Sequence, residues 1–428
     1  MTTPQPSALQ TIPGTSNVKV VGTEITVDVP PGTGSMSIYS QGASVPKTSV
    51  TLNGTVTIPN SVVPTLVKQP PTGAVIFDDI PSPPADASGL PIFYAGLSPF
   101  TGTMTVPNTS FLLEHTSLQG GLTPGTWKFT VNDFAQECTQ VSNCTGGGTA
   151  DTYDVRVYLK PGIAASKGTV DFAFYFVGGP IPFAAAPTDA RFTRMLSSLA
   201  QIYAGAGICI GKITLYDMQP WVKSSPDFSG NINADDDSPC GPLSRLFTLS
   251  QPGNQINIFL VNGFKNAAGS AINIVGVDGT IPGPSSIGGT VSSGGAANGS
   301  DLIDTTNCGS TFSPRLCGPD SVAYIVAHEA GHFMGLYHTT EQTGNTFDPI
   351  SDTKTCACSA CAPAGSARNA CGAASSPTLM FNRYCVSTAS SPQCGGGDDL
   401  MFWFLDVESR GTLTPQQGQV MRANPVVR

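Results

Sequence analysis

His328-Glu329-Ala330-Gly331-His332-Phe333-Met334-Gly335-Leu336-Tyr337-His338 is the stretch around which this 428-residue chain is read. Residues 321–336 carry the apolar periodicity of a helix, with Asp320 as the expected N-cap. Positions four apart share a helical face, so His328 and His332 point the same way. Two imidazoles so placed can meet one Zn²⁺ at about 2.0–2.1 Å each. Glu329 then projects beside the ion, where a carboxylate serves as general base for a water molecule. Gly335 can adopt positive φ, end the helix and turn the chain, bringing His338 back as a third ligand. Three ligands leave a fourth position open, as catalytic zinc requires.

The chain has 4 histidines, so only His115 lies outside this motif. It follows Glu114 in a β-rich region and reads as structural, which argues against a Ser/His/Asp triad. The net charge of −9 and the lack of any basic run exclude an electrostatic footprint for nucleic acid. No run of apolar residues is long enough to span a membrane. Charged residues make up only 11%, against 48 Gly and 36 Pro, which suits turn-rich β architecture. Twelve cysteines, clustered in loops, point to disulfides in an oxidising compartment, with their pairing left open. The start, Met1-Thr2-Thr3-Pro4, lacks the pattern of a signal peptide, so a secreted chain is expected here as a mature form or with another export signal. Glycosylation sequons stand at Asn53, Asn108, Asn143 and Asn298.

Working outward, residues 1–20 are polar and aperiodic and are expected to be frayed. Residues 21–165 alternate in short runs separated by Gly, Pro, Asn and Ser, the pattern of an all-β sandwich or jelly roll. A Pro-rich break at 80–86 divides this region. The clean strands at 125–131 and 153–159 resemble the small jelly-roll domains that accompany secreted bacterial peptidases. From 166 to 428 the texture becomes α+β. Strands are expected at Val170–Phe176, Ile210–Tyr216, Ile256–Val261 and Ala271–Val277, and a helix at Pro187–Tyr203, with a Gly/Ser-rich stretch at Gly283–Gly299.

The motif HEAGHFMGLYH resembles that of the metzincin zinc endopeptidases. Its G-L-Y-H ending and the Cys-rich, Asp-containing insertion after it are most similar to the pappalysin branch. The resemblance spans about 165–428. It implies a catalytic domain with a twisted sheet, an active-site helix and a C-terminal helix. It also implies a methionine in a tight turn beneath the zinc site, for which Met401 is preferred and Met380 is the runner-up. Thr414-Pro415-Gln416-Gln417 reads as the start of the helix that follows such a turn. Some metzincins carry a switchable Tyr ligand two residues past the Met; Trp403 or Asn382 stands there instead.

Tyr337 is a candidate for oxyanion stabilisation or for plain packing. Asp348 and Asp352 are candidate calcium ligands, since pappalysin-like enzymes hold calcium in the corresponding loop. Asn233–Asp237 reads as a solvated acidic loop, and Asp398 with Asp399 as a turn. The expected function is a secreted zinc endopeptidase that binds a protein or peptide extended along an upper edge strand, with Ala271–Val277 the candidate. The alternatives are an inactive binding module with the same fold and a zinc hydrolase of a non-protein substrate. A free cysteine that blocks the open zinc position would be one latency device.

Overall fold

The computed structural model of the chain describes strands and adjoining turns between residues 8 and 162. From 166 onward it describes all residues except 237–239, 349, 364–370, 372–378 and 406–410. His115 and the sequons at Asn53, Asn108 and Asn143 lie outside the described residues, as does the break at 80–86.

The N-terminal part forms two antiparallel sheets. The first joins β1 (Ala8–Thr11), β2 (Val18–Lys19), β4 (Thr33–Gly42), β7 (Leu97–Ser98), β8 (Thr101–Val106) and β11 (Thr152–Pro161) in the order β1-β11-β4-β8-β7, with β2 also on β11. The second joins β3 (Thr23–Val29), β5 (Val56–Gln69), β6 (Ala74–Asp78), β9 (Gly125–Cys138) and β10 (Cys144–Gly146) in the order β10-β9-β5-β6, with β3 also on β9. The alternation seen in the sequence is realised: Ile25, Val27 and Val29 are buried while Glu24, Thr26 and Asp28 are exposed. Of the segment expected to be frayed, 1–20, the described residues are β1 and β2, which both pair with β11; the rest lies outside the described residues. Strand pairing supplies the backbone hydrogen bonds that a short polar segment cannot satisfy alone.

A third, mixed sheet has the order β13-β12-β15-β18-β17. It comprises β12 (Gly168–Phe176), β13 (Ile208–Asp217), β15 (Ile256–Val261), β17 (Gly276–Asp278) and β18 (Gly295–Asn298). β13, β12, β15 and β18 are parallel neighbours, and β17 runs antiparallel along the outer side of β18. β14 (Ile232–Asn233) and β16 (Phe264–Lys265) form a small parallel pair. Every residue of β15 is buried, as both faces of this sheet are covered. On one face, α1 (Ala190–Ala204) buries Phe192, Met195, Leu199 and Tyr203, and the Tyr203 hydroxyl donates to the Ala327 carbonyl at 2.9 Å. Phe192 meets Phe174 edge-on at 5.5 Å. The other face is covered by α2 (Pro220–Ser224) and α3 (Pro242–Phe247), through Val222, Leu246 and Phe247.

The remaining helices are α4 (Gly318–Phe333), α5 (Cys358–Cys361) and α6 (Pro415–Ala423). α4 is buried on nearly every side, so its sequence is apolar all round rather than striped. Two expectations shift here. α4 begins three residues before Ser321, and Asp320 sits inside its first turn rather than at the cap, because its carboxylate is taken by Arg194, Ser198 and the Ser313 N–H. The edge strand is Gly276–Asp278, shorter and later than Ala271–Val277, while Ala271 bridges Lys265. The Gly/Ser-rich stretch Gly283–Gly299 contains β18.

The C-terminal helix anchors on the first sheet. The Lys160 ammonium donates to the carbonyls of Asn424, at 3.4 Å, and Arg422, and the Ser35 hydroxyl donates to Ala423. These carbonyls terminate α6, the end that attracts a cation. Burial, with Arg422 nearby, pulls the Lys160 ammonium down to about 8.

Four disulfides are present among the described residues: Cys308–Cys317, Cys356–Cys385, Cys358–Cys371 and Cys361–Cys394. The last three knit an insertion whose own apolar cluster is small, and crosslinks of this kind each stabilise by about 2–4 kcal/mol. Cys138 and Cys144 are partners in the β9–β10 register. Cys209 and Cys240 are exposed free thiols. The disulfides fit an oxidising, extracellular setting. Among the described residues no helix is long and apolar enough to cross a membrane.

Candidate metal centre

α4 carries His328 and His332 on one face, as the four-residue spacing requires. It stops where Gly335 takes φ +104°. The Gly335 N–H bonds to the His332 carbonyl and the Leu336 N–H to the Gly331 carbonyl, the paired closure that a glycine just past a helix end allows. His338 follows this turn and comes back to the helix face.

The three rings converge on one point. The Nε2 atoms of His328 and His332 are 3.1 Å apart, and each lies 3.2 Å from Nε2 of His338. The tautomers follow from the other ring nitrogens. His328 Nδ1 is 2.7 Å from the Leu400 carbonyl, and His332 Nδ1 is 2.7 Å from the Leu336 carbonyl. A carbonyl can only accept, so both Nδ1 atoms carry the proton. His338 Nδ1 likewise lies 3.0 Å from each Glu341 carboxylate oxygen. All three Nε2 atoms therefore present lone pairs to one another. Without a cation between them that arrangement is repulsive. Bonds of about 2.0–2.1 Å to one ion, at edges of 3.1–3.2 Å, give angles of about 100°, near tetrahedral, with a fourth position open. Among the described residues these three side chains are the group of ligands able to hold a metal. Burial holds His328 down at about 3, with His338 adding to it, and holds His332 far below its usual value, so both stay neutral as ligands must.

Glu329 is buried beside this group, beneath the edge strand. A Cβ placed on Gly276 would lie 2.2 Å from its Oε1, so β17 approaches the carboxylate as closely as a glycine permits. Burial pushes the Glu329 carboxyl up to about 8. Asp278, at the end of β17, is raised well above the usual range by burial and then by Glu329, and its Oδ1 has no hydrogen-bond partner.

The floor is formed by the turn at residues 399–402. A Cβ on Gly331 would meet the Met401 sulfur at 2.6 Å, which places the thioether against α4 between the two helical ligands. Met380 lies elsewhere, in the cluster of the Cys-rich insertion. The turn is tied on both sides. The Met401 N–H donates to Asp399 Oδ1 at 2.8 Å, and the Thr339 N–H donates to the Met401 carbonyl. Asp399 Oδ1 also accepts from Gln417 Nε2 at 3.0 Å. Gln417 in turn closes the capping box with Thr414 at the start of α6.

Other expected residues separate from the centre. Tyr337 is buried, with its hydroxyl donating to the carbonyl of Ile281, a residue of the cleft lining, at 3.4 Å. Trp403 lines the cleft and donates through Nε1 to the Met380 carbonyl, whereas Asn382 is buried in the insertion. Asp348 accepts from Thr353 Oγ1 at 2.6 Å through Oδ1, and its buried Oδ2 has no partner. Asp352 instead caps α6, accepting from Thr414 Oγ1 at 2.6 Å and the Gln416 N–H at 3.0 Å. In the acidic loop, Asp235 accepts from the Ala267 N–H. The side chain of Asn298 accepts from the Ser300 N–H. Cys209 sits on β13, at the opposite edge of the sheet from β17. Glu341, Asp278 and the Leu400 and Leu336 carbonyls are site groups that the sequence reading missed. Only Glu341, an acid three residues past His338, left a readable signal.

No protein-family model matches the chain, and no curated protein matches it.

Proposed function

We propose that the chain is a secreted zinc-dependent endopeptidase of the metzincin kind, most similar to pappalysins, with zinc on His328, His332 and His338. The observation that carries this reading is the convergence of three unprotonated Nε2 atoms beside a buried glutamate, under an open sheet edge. Bound zinc supplies Lewis acidity, which acidifies a water molecule and polarises a carbonyl.

The chain's own residues do the rest. Glu329 takes the proton of the attacking water and returns it to the leaving amine nitrogen. β17 is the outermost strand of its sheet, and an extended peptide pairs along it by strand addition. Gly276 keeps the substrate backbone close to Glu329. Leu400, Leu336 and Glu341 orient the three imidazoles. Met401, held by Asp399, supports them from below.

Residues 166–428 form the catalytic domain in this reading, and 21–165 an accessory β-sandwich or jelly-roll region. Calcium is the second ion, near Asp348, whose orphaned Oδ2 favours it. The test is a fluorogenic peptide library incubated with zinc-loaded protein, with and without a chelator. Cleavage that a chelator abolishes and zinc restores is expected. A metal-loaded protein that cleaves no peptide but hydrolyses another ester or amide class would replace this reading.

A further inference from the structure

The cleft does not end at the metal centre. Ser321, Tyr324, Ile325 and His328 line it along one face of α4, so an arm of the cleft runs about 10 Å from the centre toward the start of that helix. Pro314 and Arg315 close this arm.

Arg315 is held there by a fixed loop. Cys308–Cys317 closes the loop, and the Ser313 N–H donates to Asp320 Oδ2 at 2.8 Å. Arg194, paired with the same Asp320 carboxylate, also donates to the Gly309 carbonyl at 2.7 Å and the Thr311 carbonyl at 3.2 Å. The Asp320 side chain is fully buried, so the loop is pinned by a partly buried ion pair as well as by a covalent bridge.

The guanidinium that this loop presents is exposed, and among the described residues no hydrogen bond or ion pair engages it. Arg315 is also the one Lys or Arg among the described residues lining the cleft. Asp301 lines the same arm, but its Oδ1 accepts from the neighbouring Ser300 hydroxyl at 3.3 Å and it forms no ion pair with Arg315. Of the other acids lining the cleft, Glu341 faces His338, Glu329 and Asp278 face the space beneath β17, and Asp236 belongs to the acidic loop. Ile274 and Val275, both exposed, line the same cleft, and Leu316 is exposed next to Arg315 in the loop.

We propose that Arg315 selects substrates that carry a carboxylate within about three residues of the scissile bond, the distance that about 10 Å of extended peptide covers. The inference rests on the peptidase reading above. A planar guanidinium stays charged at all working pH values and matches a carboxylate with two parallel N–H donors. Two sources offer that group: an Asp or Glu side chain, or the α-carboxylate of a short peptide.

The test uses zinc-loaded full chain and fluorogenic peptides in matched pairs. One series exchanges Glu for Gln at successive positions on each side of the bond. Another compares free-acid with amide C-termini. Wild type is expected to cleave the carboxylate-bearing member of at least one pair with kcat/KM about tenfold higher. Arg315→Gln should erase that preference, so that the two members of each pair are cleaved with equal kcat/KM. Arg315→Glu should turn the preference toward a Lys at the same position. A difference confined to the Glu/Gln pairs assigns the side chain, and one confined to the acid/amide pairs assigns the terminus. Hydrolysis with no carboxylate preference, or a preference that survives Arg315→Gln, overturns this inference alone. Absence of any hydrolysis removes the peptidase reading and this inference with it.

Discussion

The carbonyl of Leu400 accepts the Nδ1 proton of His328 at 2.7 Å. That bond joins the helical ligand to a turn 72 residues further along the chain. The Tyr324 hydroxyl donates to the same carbonyl at 3.0 Å, and Asp399 and Gln417 fix the turn from the side of α6. The orientation of one imidazole thus depends on the C-terminal helix. Asp399→Ala leaves the Met401 N–H and the Gln417 amide without their acceptor. Global stability should fall by about 1–3 kcal/mol in denaturant titration, and metal affinity should fall about tenfold or more.

Glu341 is a milder case, because its carboxylate is only half-buried and faces His338. Glu341→Ala should weaken metal binding by about 10–100-fold in competition with a chromophoric chelator, with the unfolding temperature of the metal-free protein unchanged. Glu341→Gln keeps one acceptor oxygen and should fall between the two.

Gly276 has no room for a side chain, since a Cβ would stand 2.2 Å from Glu329 Oε1. Gly276→Ala should displace the carboxylate, so kcat should drop by about a hundredfold or more while zinc stoichiometry holds. Equal kcat in this variant would show that the strand does not set the position of Glu329.

Burial pushes the carboxyls of Asp348 and Asp399 up to about 7, and their neighbouring acids Asp352 and Asp398 add to the shift. Raised folded-state values mean that this stabilisation is complete below the unfolded value of about 4 and is lost as pH rises through about 7. With zinc supplied and calcium chelated, the unfolding temperature should fall from pH 5 to pH 8. Calcium should restore it at pH 8, because a divalent ion next to Asp348 favours the ionised form. Equal unfolding temperatures with and without calcium at pH 8 would remove calcium from the account.

Local signals carried most of the site. The spacing of His328, His332, Gly335 and His338 is set by one helix and one turn, and both are written in adjacent residues. The capping box at Thr414 and Gln417 was legible for the same reason. What escaped depends on distant partners. Asp320 reads as a cap, but Arg194, 126 residues away, claims it for an ion pair. β18 has the sequence GAAN, which shows no alternation and hides in a glycine-rich stretch. Backbone carbonyls such as Leu400 leave no mark in a sequence at all.

The central claim is that Glu329 works as a base beside a metal held by three histidines. Hydrolysis by zinc-loaded Glu329→Gln measures it most directly. The account predicts one zinc per chain, as in the wild type, with kcat reduced by about 10²–10⁴-fold. Peptide cleavage at the wild-type rate in that variant, with zinc bound, would contradict it.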